Sequence, residues 1–260
     1  MRIIAVGDPH GDLNKIKKIP LKNADLFLLT GDLGSSGLKR KMAFENIERR
    51  KQGLPEIKYS PAQEKRAFME AYSSAVKLVK YLSRFAPVYT IFGNIESSNY
   101  RTRKASERIG LKLPFLSNDL NAMKNVRVIN NRVANFHGIR IGGLQYFRDI
   151  NWAREFEPSM VSRAKRETEK ARKVLKWFNC VDILVCHQPP YGFLDKVTAK
   201  FAPKHWQNKH AGSKTILNYI KQKQPKYVFC GHIHEGKGMK KIRKTEIYNL
   251  GIAGYKIVEF

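Results

Sequence analysis

Five hydrophobic segments of this 260-residue sequence end in polar side chains of kinds that bind metals. The ends are Asp8 and His10 after residues 3–7, Asp32 after 26–31, Asn94 after 88–93, His187 after 181–186, and His232 and His234 after 227–230. The runs have the length and composition of buried strands. Because the carboxyl ends of parallel strands meet at one edge of a sheet, we expect these side chains to converge. Carboxylate, imidazole and carboxamide groups at one place indicate a metal site.

The histidine pair His232 and His234 would say little by itself, because two imidazoles on a turn can simply be solvated. Its significance comes from the other four strand ends. In this order and spacing, the motifs resemble the calcineurin-like metallophosphoesterase family. The matching motifs are Asp8-Pro9-His10, Gly31-Asp32, Gly93-Asn94, His187 and Gly231-His232-Ile233-His234. The resemblance covers nearly the whole chain and is closest to the smaller bacterial and archaeal members, to which residues 187–192 and Gly212-Ser213 are similar.

The resemblance implies an α/β fold: a four-layer α/β/β/α sandwich of two mixed sheets, the metallo-dependent phosphatase fold. It also implies two divalent metal ions. Asp8, His10 and His234 would hold one metal, Asn94, His187 and His232 the other, and Asp32 would bridge them. The catalytic residues would then be Asp32, Asn94 and His187, and a metal-bridging hydroxide would attack phosphorus without a protein nucleophile. These ligands accept manganese, iron, zinc, nickel or cobalt.

Position 95 departs from the family's pattern. The family has a histidine after Gly-Asn, whereas this chain has Ile95 in Gly93-Asn94-Ile95-Glu96. In the family that histidine stabilises the leaving group, and loss of such general-acid help typically costs about 10²–10⁴-fold in rate. The arginine that often follows the family's Gly-Asp motif is also missing from residues 31–37. Two interpretations remain open: cleavage of esters with good or strained leaving groups, or phosphate binding without turnover.

The net charge is the second strong signal. Lys and Arg number 49 against 22 Asp and Glu, a formal charge of +27 spread over many segments. Such an excess indicates a polyanionic partner, RNA or a ribonucleoprotein, although solvated helix faces of a heat-adapted protein would be an alternative. The candidate nucleic-acid contacts lie on a basic helix and in a loop. They are Arg163, Lys165, Arg166, Lys173 and Lys176 on the helix, and Lys196, Lys200, Lys204, His205, Trp206 and Lys209 in the loop.

Composition also bears on domain organisation and location. A length of 260 residues with 42% hydrophobic content and no Pro/Gly/Ser-rich linker predicts a single domain over residues 1–260, with a helical excursion at about 36–87. We find no signal segment and no apolar run of about eighteen residues, so we expect a cytoplasmic protein with no membrane contact. The three cysteines, Cys180, Cys186 and Cys230, are expected to be reduced core residues.

Periodicity predicts the elements between these motifs. Residues 2–30 are expected to form a βαβ unit, and helices are expected at about 38–50, 61–84, 159–178 and 213–223, the last with Ser213 as N-cap. Residues 96–121 are interpreted as an irregular loop with short helices. Strands at 126–129, 132–136, 140–144, 246–250 and 255–259 are assigned to the second sheet.

Together these observations predict a metal-dependent phosphoester hydrolase, specifically a phosphodiesterase acting on nucleotide or RNA phosphoesters. The alternative is an RNA- or ribonucleoprotein-binding module that keeps its metal site but has little turnover, because Ile95 replaces the family's histidine.

Overall fold

In the computed structural model, which describes residues 1–200 and 202–260, strands and helices alternate along most of the chain. The strands are β1 (Arg2–Val6), β2 (Leu26–Leu29), β3 (Val88–Thr90), β4 (Val126–Val128), β5 (Arg132–Phe136), β6 (Ile139–Leu144), β7 (Ile183–Cys186), β8 (Tyr227–Cys230), β9 (Gly238–Ile242), β10 (Thr245–Asn249) and β11 (Tyr255–Glu259). The helices are α1 (Leu13–Ile16), α2 (Gly37–Lys51), α3 (Pro61–Leu82), α4 (Asn99–Ile109), α5 (Leu116–Asn121), α6 (Ile150–Phe156), α7 (Val161–Phe178) and α8 (Lys214–Lys223). Short 3₁₀ turns lie at Pro158–Met160, Lys204–Trp206 and His234–Gly236.

The strands form two mixed sheets. The first has the order β11-β1-β2-β3-β4, in which β11 is antiparallel to β1 and the other neighbours are parallel. The second has the order β5-β6-β7-β8-β10-β9, parallel from β6 to β10 and antiparallel at both edges. The carboxyl ends of the parallel strands in each sheet therefore lie along one edge.

Hydrophobic side chains fill the spaces between four layers. Successive residues of a strand point to opposite faces, so Ile4 and Val6 pack towards α1, α3 and α5, while Ile3 and Ala5 face the second sheet. The outer face of the second sheet packs against α7 and α8 through residues such as Leu175. This arrangement confirms the predicted α/β/β/α sandwich of two mixed sheets.

Sheet membership differs from the prediction at two strands. Residues 126–128 pair with β3 and residues 255–259 pair with β1, so both strands lie in the first sheet. A strand's own sequence does not reveal its partner, because both sheets bury similar hydrophobic surfaces. Strand β9 lies in the basic segment 237–244, where we predicted no strand, and its first four residues are exposed at the sheet edge.

The helices follow their capping signals. Ser60 and Gln63 form a capping box at the start of α3, with Pro61 in the first turn, and Ser213 caps α8 as predicted by accepting a hydrogen bond from the Ile216 N–H. Residues 96–121 are more regular than expected. Ser98 caps the 11-residue α4, and Gly110 ends it in a left-handed conformation. Helix α6 was also not predicted; Asp149 caps it.

Two further expectations concern cysteines and membranes. Cys186 and Cys230 are buried free thiols, but Cys180 is exposed just after α7, so the prediction that it is a core residue was wrong. Among residues 1–200 and 202–260, no helix combines the length and apolar character needed to cross a bilayer.

Candidate metal centre

The polar residues that follow the strands meet at one edge of the sandwich. Asp8 and His10 follow β1, Asp32 follows β2 and Asn94 follows β3, all in the first sheet. The second sheet contributes His187 directly after β7, and His232 and His234 after β8. Hydrogen bonds hold these loops together: His10 N–H donates to the Asp32 carbonyl over 2.9 Å, and Gly231 N–H donates to the His187 carbonyl over 3.0 Å.

Three of these residues have left-handed backbone conformations. The φ angles are 45° at His10, 45° at Asp32 and 64° at His232. Residues other than glycine rarely adopt such φ angles. Those that do cluster at functional sites, where the surrounding structure enforces the conformation. Two glycines allow the close approach of the loops. A methyl group on Gly231 would overlap the carboxylate of Asp8, and one on Gly93 would overlap that of Asp32.

Asp8, His10 and His234 form the first group that could hold a metal ion. The Nε2 atoms of His10 and His234 lie 3.3 Å apart, and His234 Nε2 lies 3.1 Å from Asp8 Oδ2. The Asp8 carboxylate is buried and also accepts hydrogen bonds from the Thr30 hydroxyl and the His232 N–H. These contacts fix the orientation of the carboxylate.

The second group contains Asp8, Asp32 and His187, all buried. Asp32 lies between the two sides of the site: its Oδ2 is 4.0 Å from His10 Nε2, and its Oδ1 is 3.6 Å from His187 Nε2. His187 Nε2 also lies 2.9 Å from Asn94 Oδ1. The ring of His232 packs beside that of His187, with centroids 4.8 Å apart. All seven residues expected as ligands from the sequence therefore lie in one cluster.

Burial and charge shift the pKa values of these groups. Burial opposes ionisation of Asp8, but His187 and hydrogen bonds from His187, His234 and His232 hold its pKa well below the usual range. Burial likewise opposes a charge on His187, yet the carboxylates of Asp32 and Asp8 raise its pKa to about 10. Burial and the neighbouring His187 lower the pKa of His232 to about 3. The two carboxylates thus impose a strong demand for positive charge at the centre of the cluster.

A divalent cation suits this donor set. Within the described residues, the ion-pair partners of Asp8 and Asp32 are histidines, with no lysine or arginine among them. Neutral imidazole coordinates metals, and buried carboxylates are stabilised either by cationic partners or by metal ions. The His187 Nδ1 lies 2.9 Å from the Thr30 carbonyl, which leaves Nε2 directed at Asn94 and Asp32. A contact between one ring nitrogen and a backbone carbonyl, such as that of Nδ1 with Thr30, is typical of metal-ligating histidines.

Glu96 has a structural role at this site that the sequence analysis did not recognise. Its buried carboxylate accepts hydrogen bonds from the N–H groups of Asp32, Leu33 and Gly93, over 3.0, 2.8 and 2.9 Å. Burial and the nearby Asp32 carboxylate raise the pKa of Glu96 to about 7. Glu96 thereby ties the loop after β2 to the loop after β3. The sequence did contain a signal for this role, because Glu96 lies two residues beyond Asn94 in a loop expected at the site.

A cleft opens above the cluster. Of the seven residues expected as ligands, those that line the cleft include His10, Asp32, Asn94 and His232. Its walls combine cationic and aromatic side chains, among them Lys39, Arg40, Arg101, Arg148, Tyr146, Trp152 and Trp206. The side chain of Ile95 also lines the cleft and brings no ionisable group. Arginines from α2, α4 and the segment before α6 are thus present, although the Gly-Asp motif lacks one.

The candidate nucleic-acid residues occupy three different environments. Arg163 and Arg166, at the start of α7, line a depression beside the cleft. Lys165, Lys173 and Lys176 are exposed along α7, and the described cleft lining does not contain them. In the 196–209 loop, Lys196, Lys200, Lys204, His205 and Lys209 are exposed, and Lys209 pairs with Glu155. One position of that loop, residue 201, lies outside the described residues.

Trp206 is the loop residue that reaches the cleft. It packs against Phe156 and Trp152, with ring centroids 5.2 and 5.7 Å away, in a small hydrophobic cluster that includes Ile233. Its indole Nε1 is buried and donates to no described group. Trp206 is therefore a packed wall of the cleft rather than a free surface residue.

Comparisons with known proteins identify relatives of this chain. The sequence profile described as calcineurin-like phosphoesterase matches residues 1–236. A UPF0046 protein of Caenorhabditis elegans is 22% identical over 250 residues, which make up 96% of this chain and 69% of that protein. The human metallophosphoesterase domain-containing protein 1 is 40% identical over 73 residues, which make up 28% of this chain and 20% of that protein.

A solved structure shows the same fold. The dimetal phosphatase from Danio rerio superposes with a TM-score of 0.51 and covers 98% of this chain and 88% of that chain. The two sequences are 12% identical, so the likeness concerns the fold.

Proposed function

This chain belongs to the calcineurin-like phosphoesterase family, and on that premise we propose that it is a metal-dependent phosphodiesterase acting on nucleotide or RNA phosphoesters. The observation that carries this proposal is the convergence of seven ligand side chains from two sheets beneath a cleft with cationic walls. The domain would comprise residues 1–260, with α2 and α3 as its helical excursion.

In this proposal Asp8, His10 and His234 would hold one metal, Asn94, His187 and His232 would hold the other, and Asp32 would serve both. The position of Asp32, with one oxygen towards His10 and the other towards His187, supports the bridging role. Asp8 contacts both sides as well, through His234 and His187, so its carboxylate would confine both ions. When bound, two divalent metals would activate water and polarise phosphoryl oxygens.

The chain's own residues orient these ligands. Thr30 fixes both Asp8 and His187, through its hydroxyl and its carbonyl respectively. Tyr146 packs its ring against His187 and His232, with centroids 5.7 and 5.4 Å away. Glu96 holds the Asp32 loop through backbone N–H groups. Such support keeps ligands within the narrow geometry that catalysis requires.

The proposed substrate class follows from the leaving group and the charge. Ile95 places no acid on its side of the cleft, so esters whose leaving groups need no protonation are favoured. Aryl diesters and strained cyclic phosphates meet this condition, whereas RNA, whose leaving group is an alkoxide, is a candidate because of its charge. The formal charge of +27 favours polyanions over neutral substrates.

A binding function without turnover is the second candidate, and the absence of an acidic side chain at position 95 is the observation that favours it. In that case the same cleft would hold RNA or a ribonucleoprotein. Cytoplasmic location and manganese as the physiological metal remain parts of the proposal, which cell fractionation and metal analysis of the native protein would test.

The deciding experiment is an assay of the purified protein with Mn²⁺ across phosphomonoesters, diesters, cyclic nucleotides and short RNAs. We expect metal-dependent hydrolysis of diesters, abolished in Asp32→Asn. Tight RNA binding with no hydrolysis of any ester would support the binding function, and hydrolysis of monoesters alone would contradict the phosphodiesterase.

A further inference from the structure

Four arginines surround a depression that adjoins the cleft. Arg101 comes from α4, Arg148 from the segment between β6 and α6, and Arg163 and Arg166 from the first turns of α7. Arg101 and Arg148 line both the depression and the cleft, so the two spaces are continuous. We call these four residues the arginine cluster.

One carboxylate opposes this charge in the lining of the depression. Glu167 Oε1 lies 2.8 Å from Arg163 Nε and 3.6 Å from Arg101 Nη2, and Glu167 Oε2 accepts the backbone N–H of Arg148 over 2.8 Å. Glu167 therefore orders three members of the cluster but balances only one positive charge. The lining is left with an excess of three positive charges beside the proposed catalytic site.

Arg148 lines both spaces, and part of its guanidinium group lacks an acceptor among the described residues. Its Nε and Nη1 atoms are buried and donate to no described group. A buried donor without a partner is energetically costly, most of all in a charged group, so native structures rarely leave one unsatisfied. Planar guanidinium groups pair with phosphate oxygens through two parallel hydrogen bonds, which makes an anionic phosphate the natural acceptor.

Tyr100 points to the kind of phosphate compound. It lies at the rim of the same depression and is 70% exposed. An exposed aromatic ring beside cationic groups is the combination on which single-stranded nucleic acids stack their bases. An inorganic polyphosphate would use the arginines but not the ring.

We propose that the arginine cluster binds a second phosphate of the substrate, away from the scissile bond, and that the substrate is therefore a short oligonucleotide rather than a mononucleotide. This inference rests on the proposed phosphodiesterase function. A mononucleotide held by the metal centre would leave the cluster empty, whereas an oligonucleotide would fill both sites at once.

The test compares nucleotides with one, two and three phosphates, the last of which also carries a second uridine. Binding of uridine 5′-monophosphate, pUp and pUpUp to the Mn²⁺-loaded protein is measured by calorimetry, with a hydrolysis-resistant phosphorothioate as the internucleotide linkage of pUpUp. Charge-assisted hydrogen bonds to phosphate are among the stronger polar contacts, so we expect one of the added phosphates to lower Kd by at least about tenfold. Arg148→Gln should reduce that gain to about threefold or less. Arg166→Gln, at an exposed position, gives a second variant should Arg148→Gln fail to fold.

Arg84→Gln is the matched control, because Arg84 is exposed in the turn after α3 and lines neither described space. Equal affinities for all three nucleotides, or equal losses in Arg84→Gln and in the cluster variants, would overturn the inference. Turnover of bis(p-nitrophenyl) phosphate separates the two proposals. If the parent hydrolyses this diester but gains nothing from added phosphates, the inference fails and the proposed function stands. If it gains affinity but does not hydrolyse the diester, the proposed function fails and the cluster is a phosphate-binding site without a substrate role.

Discussion

The backbone N–H of Ile95 donates to Asp32 Oδ1 over 3.0 Å, so position 95 supports the proposed bridging ligand through its backbone while its side chain lines the cleft. This hydrogen bond therefore does not depend on which side chain residue 95 carries. A residue with an acidic proton could stand there without removing this hydrogen bond.

We expect Ile95→His to change the dependence of rate on leaving group. In the parent, rates on aryl diesters should greatly exceed those on alkyl esters, because position 95 supplies no acid to protonate the departing oxygen. The histidine should raise the alkyl rates by up to about 10²–10⁴-fold and flatten the plot of log rate against leaving-group pKa. Ile95→Leu is the matched control. Equal rates on alkyl and aryl esters in the parent would show that another residue supplies the proton.

Asp32 should matter more for metal content than any other single ligand. A bridging carboxylate serves both ions, so Asp32→Ala should lose both, whereas a variant of His10 should retain one. Metal content per chain is measured by mass spectrometry after dialysis, with Asp119→Ala as control because Asp119 bonds Tyr72 at the surface. A larger loss in Asp8→Ala than in Asp32→Ala would assign the bridge to Asp8.

Glu96→Gln should weaken metal binding although Glu96 is not a proposed ligand. The glutamine amide would direct N–H groups at the backbone donors of Asp32, Leu33 and Gly93, and the Asp32 loop would shift. Changes of this kind typically cost about 10–100-fold in metal affinity. Competition with a fluorescent chelator measures this affinity. The surface variant Glu107→Gln, which removes a partner of Lys104, should leave it unchanged.

The basic face of α7 should bind structured RNA mainly through phosphates. Log K should fall by about 0.7–0.9 per unit of log salt for each phosphate neutralised. Neutralising Lys165, Arg166, Lys173 and Lys176 together should reduce that slope, and metal content should stay the same because none is a proposed ligand. Affinity that is insensitive to salt, or a quadruple variant that binds RNA as the parent does, would show that α7 is only a solvated face.

Much of the fold follows from local sequence, because strand ends, capping residues and helix periodicity are local signals. The ends of five buried strands bring polar residues to one edge, and this local pattern was sufficient to single out Asp32 and His187. Sheet membership of residues 126–128 and 255–259 depends on distant partners, so the prediction was wrong there. The roles of Glu96 and Arg148 depend on neighbours more than forty residues away in sequence or on burial, which local patterns do not report.

One measurement tests the proposed dinuclear centre directly. The purified protein is stripped with a chelator, titrated with Mn²⁺, and followed for metal bound per chain and for hydrolysis of bis(p-nitrophenyl) phosphate at each step. The account predicts that hydrolysis is lost on stripping and returns in full as the second ion binds, with two ions per chain at saturation. Full activity in the stripped protein, or saturation at one ion per chain, would contradict it.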